Sequence, residues 1–206
     1  MNPGAQGVPP RRVVIVDNGG ANVASLFHAL ARLGHTPELT SSADKVRAAS
    51  HVLLPGVGAA GDAMRRLRDT GLDTVIPRLT QPVLGICLGM QLLYEFSEEN
   101  DVECLGAIPG RAARLRANGL PVPHMGWNQL EPVAGSALLE GIRSGDYAYF
   151  VHSFAVPVGE ETLARTEYGE PFSAVIAHRN FLAAQFHPER SAATGATFLR
   201  NFLSIQ

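Results

Sequence analysis

Pro82-Val83-Leu84-Gly85-Ile86-Cys87-Leu88-Gly89-Met90-Gln91 runs an apolar, strand-like segment into a Gly-x-Cys-x-Gly turn and out into a helical pattern. This is the sequence form of a nucleophile elbow: the turn is so tight that its central residue is driven into strained backbone, and the flanking glycines let neighbouring backbone approach. Such a turn exposes one reactive side chain. With cysteine at the apex, the sulfur sits where a helix starts near Leu88, among unpaired N–H groups that favour thiolate over thiol.

Working outward, residues 12–17 (RVVIVD) read as a buried strand, 22–33 as an amphipathic helix closed by Gly34, and 37–40 as a short second strand. Residues 51–54 form a third strand that ends in Pro55-Gly56-Val57-Gly58, 62–68 read as helix, and 83–86 are the fourth strand. Alternating strand and helix predict right-handed crossovers, and so a doubly wound, open, mostly parallel α/β sheet. The C-terminal half reads as an antiparallel hairpin region, with β-like segments at 112–116, 147–152, 163–168, 174–178 and 181–186 and a turn at Asn180. Phe198, Leu199, Phe202 and Leu203 recur at helical spacing, which predicts a closing helix over 195–205.

A chain of 206 residues, 46% hydrophobic, can bury one substantial core, so residues 12–206 are expected to form a single domain. Residues 1–11, rich in Gly and Pro, are expected to be a mobile leader. A formal net charge of −2 and the absence of a basic, aromatic-interleaved run speak against a nucleic-acid partner. No stretch approaches the ~20 apolar residues that span a bilayer, and the N-terminus lacks a signal-peptide core, so no membrane association and a cytoplasmic location are expected. Cys87 and Cys104 are too few for a disulfide framework and match no metal pattern, and Cys104 reads as a small buried hydrophobe.

A cysteine nucleophile needs a base to activate it and an acid for its leaving group, and imidazole serves both near neutral pH. Of seven histidines, His187 is best placed: in Gln185-Phe186-His187-Pro188-Glu189 it follows an apolar strand, and Glu189 lies two positions on. Extended residues at i and i+2 point to one side about 6.5–7 Å apart, close enough for the carboxylate to fold back onto the ring. Pro188 restrains His187 to extended backbone. Acyl chemistry also requires oxyanion donors: the Leu88 N–H is one, and the loop carrying Gly56 and Val57 is expected to supply the second.

Three blocks, residues 53–64 (LLPGVGAAGDAM), 85–93 (GICLGMQLL) and 185–191 (QFHPERS), resemble the class I, or triad, glutamine amidotransferases. The first of these, with 123–128 (PHMGWN) and 149–154 (YFVHSF), is similar to the histidine-biosynthesis branch of that family. The resemblance implies that Cys87 attacks the γ-carboxamide of glutamine, that His187, oriented by Glu189, passes the proton to ammonia, and that water hydrolyses the thioester. It implies substrate contacts from Gly56, Gln91, His152, Ser153 and Phe154, no metal and no cofactor. It also implies a (β/α)8 cyclase partner that receives the ammonia, forming a heterodimer with Asn22, Trp127 and Arg190 on or near the shared face. Two rivals are the glutaminases of anthranilate or aminodeoxychorismate synthesis, which usually carry His where Met90 stands, and a non-catalytic scaffold of the same fold. A hydrolase of γ-glutamyl peptides is a third. The family's usual Asp-Tyr-Gly-x-Gly-Asn is here Asp17-Asn18-Gly19-Gly20-Ala21-Asn22, so the tyrosine is absent.

Overall fold

The computed structural model describes residues 12–19 and 23–206. The expected leader and Asn22 lie outside the described residues. Strands β1 (Val13–Val16), β2 (Glu38–Thr40), β3 (His51–Gly56) and β4 (Val83–Cys87) are linked by α1 (Val23–Arg32), α2 (Ala43–Arg47), α3 (Ala60–Asp69) and α4 (Leu72–Val75). After β4 come α5 (Leu88–Leu92), β5 (Tyr94–Ser97), β6 (Val102–Glu103), β7 (Ile108–Arg114), β8 (His124–Gln129) and β9 (Glu131–Pro132). The chain ends with β10 (Tyr147–His152), β11 (Phe154–Ala155), β12 (Thr162–Tyr168), β13 (Glu170–His178), β14 (Phe181–Ala184) and α6 (Ala192–Ser204).

The main sheet has the order β2-β1-β3-β4-β14-β13-β12-β9. Its β2-to-β14 half is parallel and the rest antiparallel. Every residue of β1 is buried: Val13 and Ile15 face one apolar layer, Val14 and Val16 the other. That is why its sequence is a continuous apolar run rather than an alternation. The expected doubly wound core with a hairpin region is therefore present. One refinement matters for the site: β14 pairs antiparallel with β13 but parallel with β4, at Ala184↔Ile86, so the segment leading to His187 runs beside the one leading to Cys87.

The C-terminal half departs from the sequence expectation in two places. No periodic pattern marks 94–107, yet β5 begins at the buried Tyr94 and joins β6, β7 and β11 in a separate four-stranded sheet. Leu92, Leu93 and Tyr94 are all buried, and an unbroken apolar run carries no information on where a helix gives way to a strand. Residues 124–129 form β8, which pairs with β10 in a two-stranded sheet. The expected turn at Asn180 is present: Arg179 takes φ 55°, and Asn180 Nδ2 donates to the carbonyls of Leu79 and Gln81, tying the hairpin to the start of β4. In α6 the predicted face is buried, with Phe198 edge-on to Phe186 at 5.2 Å. Each such Phe stabilises the core by about 1.5–3 kcal/mol.

Candidate active site

Cys87 closes β4 at φ 54°, ψ −111°, a conformation that costs a residue with a Cβ about 1–3 kcal/mol. The surroundings that hold it there are glycines. A Cβ on Gly85 would lie 2.8 Å from the Gly89 carbonyl oxygen, and one on Gly56 would lie 2.9 Å from the Gly89 nitrogen. Gly56 pairs in register with Cys87, so the glycine loop and the elbow leave the sheet side by side. Helix α5 has only five residues, so it offers the sulfur its first peptide N–H groups rather than a long helix dipole. The thiol donates to the Val151 carbonyl at 3.7 Å.

His187 has extended backbone (φ −96°, ψ 98°), as the following proline requires. Its Nδ1 lies 2.8 Å from Glu189 Oε1, both side chains nearly inaccessible. The pairing is as expected, although its route differs: Pro188–Arg190 form a single 3-10 turn, and this turn, not an extended strand, brings the carboxylate back to the ring. The turn is clamped from two sides. The His187 N–H donates to the Tyr149 carbonyl, and Ser191 Oγ donates to the His187 carbonyl at 2.7 Å. Burial disfavours the charged imidazole, but the Cys87 sulfur and the Glu189 carboxylate outweigh it and push its pKa up to about 10. At neutral pH His187 therefore holds a proton. Among the described residues its buried Nε2 has no hydrogen-bond partner, which leaves that N–H available to a reacting molecule.

Cys87, His187, Val57, Gly58, Leu88, Gln91, Glu99, His152, Ser153 and Phe154 converge on one cavity of about 190 Å³. Both residues expected to supply oxyanion donors, Val57 and Leu88, are in its wall, and so are four of the five expected substrate contacts. Gly56 is not in the wall but directly precedes Val57, which is. Asn18, which replaces the family's tyrosine, is buried and reaches the same loop: its Nδ2 donates to the Pro55 carbonyl at 2.7 Å. Glu99 was not legible from the sequence. It is the one acidic side chain of this wall among the described residues, held by the Ala60 N–H at the start of α3. Burial raises its pKa, against that hydrogen bond. Nothing local marks it, since Glu98 and Glu99 are a plain acidic pair after a strand.

The block containing His124 supports the pocket from behind. His152 Nδ1 lies 2.9 Å from the Phe154 carbonyl and must carry the proton there, so its Nε2 accepts from His124 Nδ1 at 3.1 Å. His124 Nε2 then accepts from Asn128 Nδ2 at 3.3 Å. Both rings are neutral and fully used, and His124 is stacked on Tyr168 at 4.0 Å. Burial pushes His124 down to about 4; burial and the neighbouring His124 push His152 down to about 3. Protons bind the unfolded chain first, near 6.5, so stability should fall as pH drops from about 6.5 towards 4. Urea midpoints measured across that window should decline in the wild type and decline less steeply in His124→Gln. Parallel curves would remove this pair as the cause.

Two of the residues expected at a partner face come together. Trp127, 53% exposed, meets Tyr149 edge-on at 5.9 Å, and the Arg190 guanidinium lies 5.1 Å from the centroid of the same ring. Met125 and Tyr147 are also exposed on this two-stranded sheet, which makes an apolar outer face. Cys104, expected buried, is half-buried, and burial pushes its thiol up to about 11.

An elbow cysteine beside a carboxylate-bound histidine, at the carboxyl edge of a parallel sheet, defines the class: a triad-type cysteine hydrolase fold. Residues 14–205 match the family described as glutamine amidotransferase class-I. The imidazole glycerol phosphate synthase subunit HisH of Idiomarina loihiensis is 54% identical over 193 residues, covering 94% of this chain and 97% of that one. The subunit of the same name from Xanthomonas axonopodis is 52% identical over 194 residues, again 94% and 97%. Among solved structures, PurLQS from Thermotoga maritima aligns at TM-score 0.73 with 19% identity, over 94% of this chain and 98% of that chain, a likeness of fold alone. The chain belongs to the class-I glutamine amidotransferase family, in its group of imidazole glycerol phosphate synthase HisH subunits.

Proposed function

We propose that this chain hydrolyses glutamine and hands the ammonia to a (β/α)8 cyclase, as the glutaminase half of an imidazole glycerol phosphate synthase in histidine biosynthesis. The observation that carries the reading is the convergence of Cys87, Val57, Leu88 and His187, itself bound to Glu189, on one small cavity. The Cys87 sulfur attacks the γ-carbonyl carbon, and the resulting oxyanion is met by the N–H groups of Leu88 and Val57, each worth about 3 kcal/mol. Protonated His187 gives its Nε2 proton to the departing nitrogen, the C–N bond breaks, and ammonia leaves a γ-glutamyl thioester. His187, now neutral, takes a proton from water as its oxygen attacks the thioester. The C–S bond breaks, glutamate leaves, and the sulfur and imidazolium are restored. Glu189 keeps Nδ1 protonated throughout. Glutamine is held by Gln91, by Gly56 and the loop above it, and by the 152–154 segment. The Glu99 carboxylate suits its α-ammonium group.

The exposed face of Met125, Trp127 and Tyr147, with Arg190 nearby, would receive the cyclase. It backs directly onto the site, because the main chain of Tyr149 holds His187 while its ring carries the Trp127 and Arg190 contacts. Among the described residues no helix is long and apolar enough to cross a membrane. Measuring glutamate formed from glutamine, with and without the cyclase and its nucleotide ligand, tests the whole. The isolated chain should be slow and the complex at least tenfold faster, by reorientation of the Gly56–Val57 peptide. Equal rates would remove the activation; no glutamate in either mixture would remove the function.

A further inference from the structure

One side chain of the site has no role in the reaction as set out above. Gln185 lies between β14 and His187 and is fully buried, and its backbone N–H is fixed to the Ala174 carbonyl. Its side-chain amide stands between Gln91 and the nucleophile: Oε1 accepts from Gln91 Nε2 at 3.1 Å, and Nε2 faces Cys87 Sγ at 3.8 Å.

The orientation of both amides follows from one group that cannot be turned round. The Phe154 carbonyl can only accept, and it takes hydrogen bonds from His152 Nδ1 and from Gln91 Nε2 at 2.8 Å. The NH2 end of Gln91 therefore faces Phe154, and its second hydrogen reaches Gln185. A Gln185 turned the other way would set NH2 against NH2. The amide is thus locked with its donor towards the sulfur.

The geometry points to Gln185 as a positioning residue for Cys87, donating to the sulfur when it is charged and holding it in line for attack on an acyl group. This rests on the reading of Cys87 as the nucleophile. The two sulfur neighbours divide the work. As a thiol, Cys87 donates to the Val151 carbonyl, which can only accept and so opposes a negative sulfur. Gln185 does the reverse, because an N–H donor favours the charged form. A neutral amide also leaves the proton on His187, where a cationic side chain would compete with it. The same donor serves twice, once before the thioester forms and again when the sulfur leaves it.

The test is the pH profile of Cys87 alkylation by iodoacetamide, in which the thiolate forms a C–S bond and expels iodide. It is read from the mass of the Cys87 peptide, so that the slower Cys104 is counted apart. Gln185→Met and Gln185→Leu, both uncharged, remove the donor to sulfur without setting a charge beside it. For each variant the profile should move to higher pH by about one unit. For Gln185→Met, kcat on glutamine should fall about 10- to 100-fold with KM changed less than about threefold. A merely structural role lowers stability or turnover without moving the profile of the folded protein, and superimposable profiles overturn the inference. Should Gln185→Met not fold, Gln185→Leu decides alone; failure of both to fold makes Gln185 structural and overturns it as well. Hydrolysis of glutamine that survives Cys87→Ala would instead overturn the underlying reading of Cys87, whatever the alkylation profiles show.

Discussion

Cys87→Ala is expected to abolish glutamine-dependent synthesis by the complex, by about four orders of magnitude or more, while synthesis from added ammonium salt continues at the wild-type rate. The first half follows from the wall of the pocket, where among the described residues the other hydroxyl or thiol is Ser153, on the segment proposed to hold glutamine rather than at the elbow. Without the sulfur no thioester forms, and His187 has no leaving group to protonate. The second half follows from packing. Cys87 is placed by backbone pairing with Gly56 and by the close glycine backbone around the turn, and the sulfur adds only long contacts to Val151 and Gln185, so alanine at the same φ of 54° leaves the elbow standing. Comparing glutamine and ammonium salt as nitrogen sources in one preparation separates the two. Loss of both activities would make the cysteine structural, and retention of both would place the nucleophile elsewhere.

Gly89→Ala is expected to destabilise the fold by about 3 kcal/mol or more and to leave any folded fraction without glutaminase activity. A Cβ at this position would sit 1.7 Å from the Leu54 carbonyl oxygen. That oxygen belongs to β3, a central strand, and cannot move without parting β3 from α5 or from β4. The strain also has a direction: pushing α5 outward withdraws Leu88 and with it the expected oxyanion donor. Gly58→Ala is the informative contrast, since among the described residues nothing lies within 4 Å of its Cβ, and the cost there is backbone strain at φ 89°. Urea unfolding of the two variants should rank Gly89→Ala as much the more damaging. Equal loss would mean that conformation, not contact, demands both glycines.

The residues that carry chemistry were legible because chemistry leaves local marks. A cysteine between glycines at a strand end, and a His-Pro-Glu string after another strand, each announce a turn that displays a side chain. The role of Pro188 was readable from sterics alone, and the observed backbone of His187 agrees with it. Glu99 left no such mark. It enters the pocket because β5 turns back at its C-terminal end to meet the start of α3, and a carboxylate placed by tertiary contact is indistinguishable in sequence from a solvated one. The four-stranded sheet around Tyr94 was invisible for a related reason: its first residue, the buried Tyr94, continues the apolar run of Leu92 and Leu93 from α5 without a change of period.

The sequence by itself determined the elbow at Cys87, the parallel core that raises it and the imidazole with its carboxylate, because strand and turn geometry follow from side chains a few residues apart. Only the tertiary structure decided that β14 lies beside β4, which brings His187 to Cys87, and that Gln185 turns its amide towards the sulfur. It also turned the His124 block into the rear wall of the pocket and an outward apolar face at once. Those are pairings between segments up to about a hundred residues apart. They are chosen by which surfaces can exclude water together, and no stretch of sequence carries that information alone.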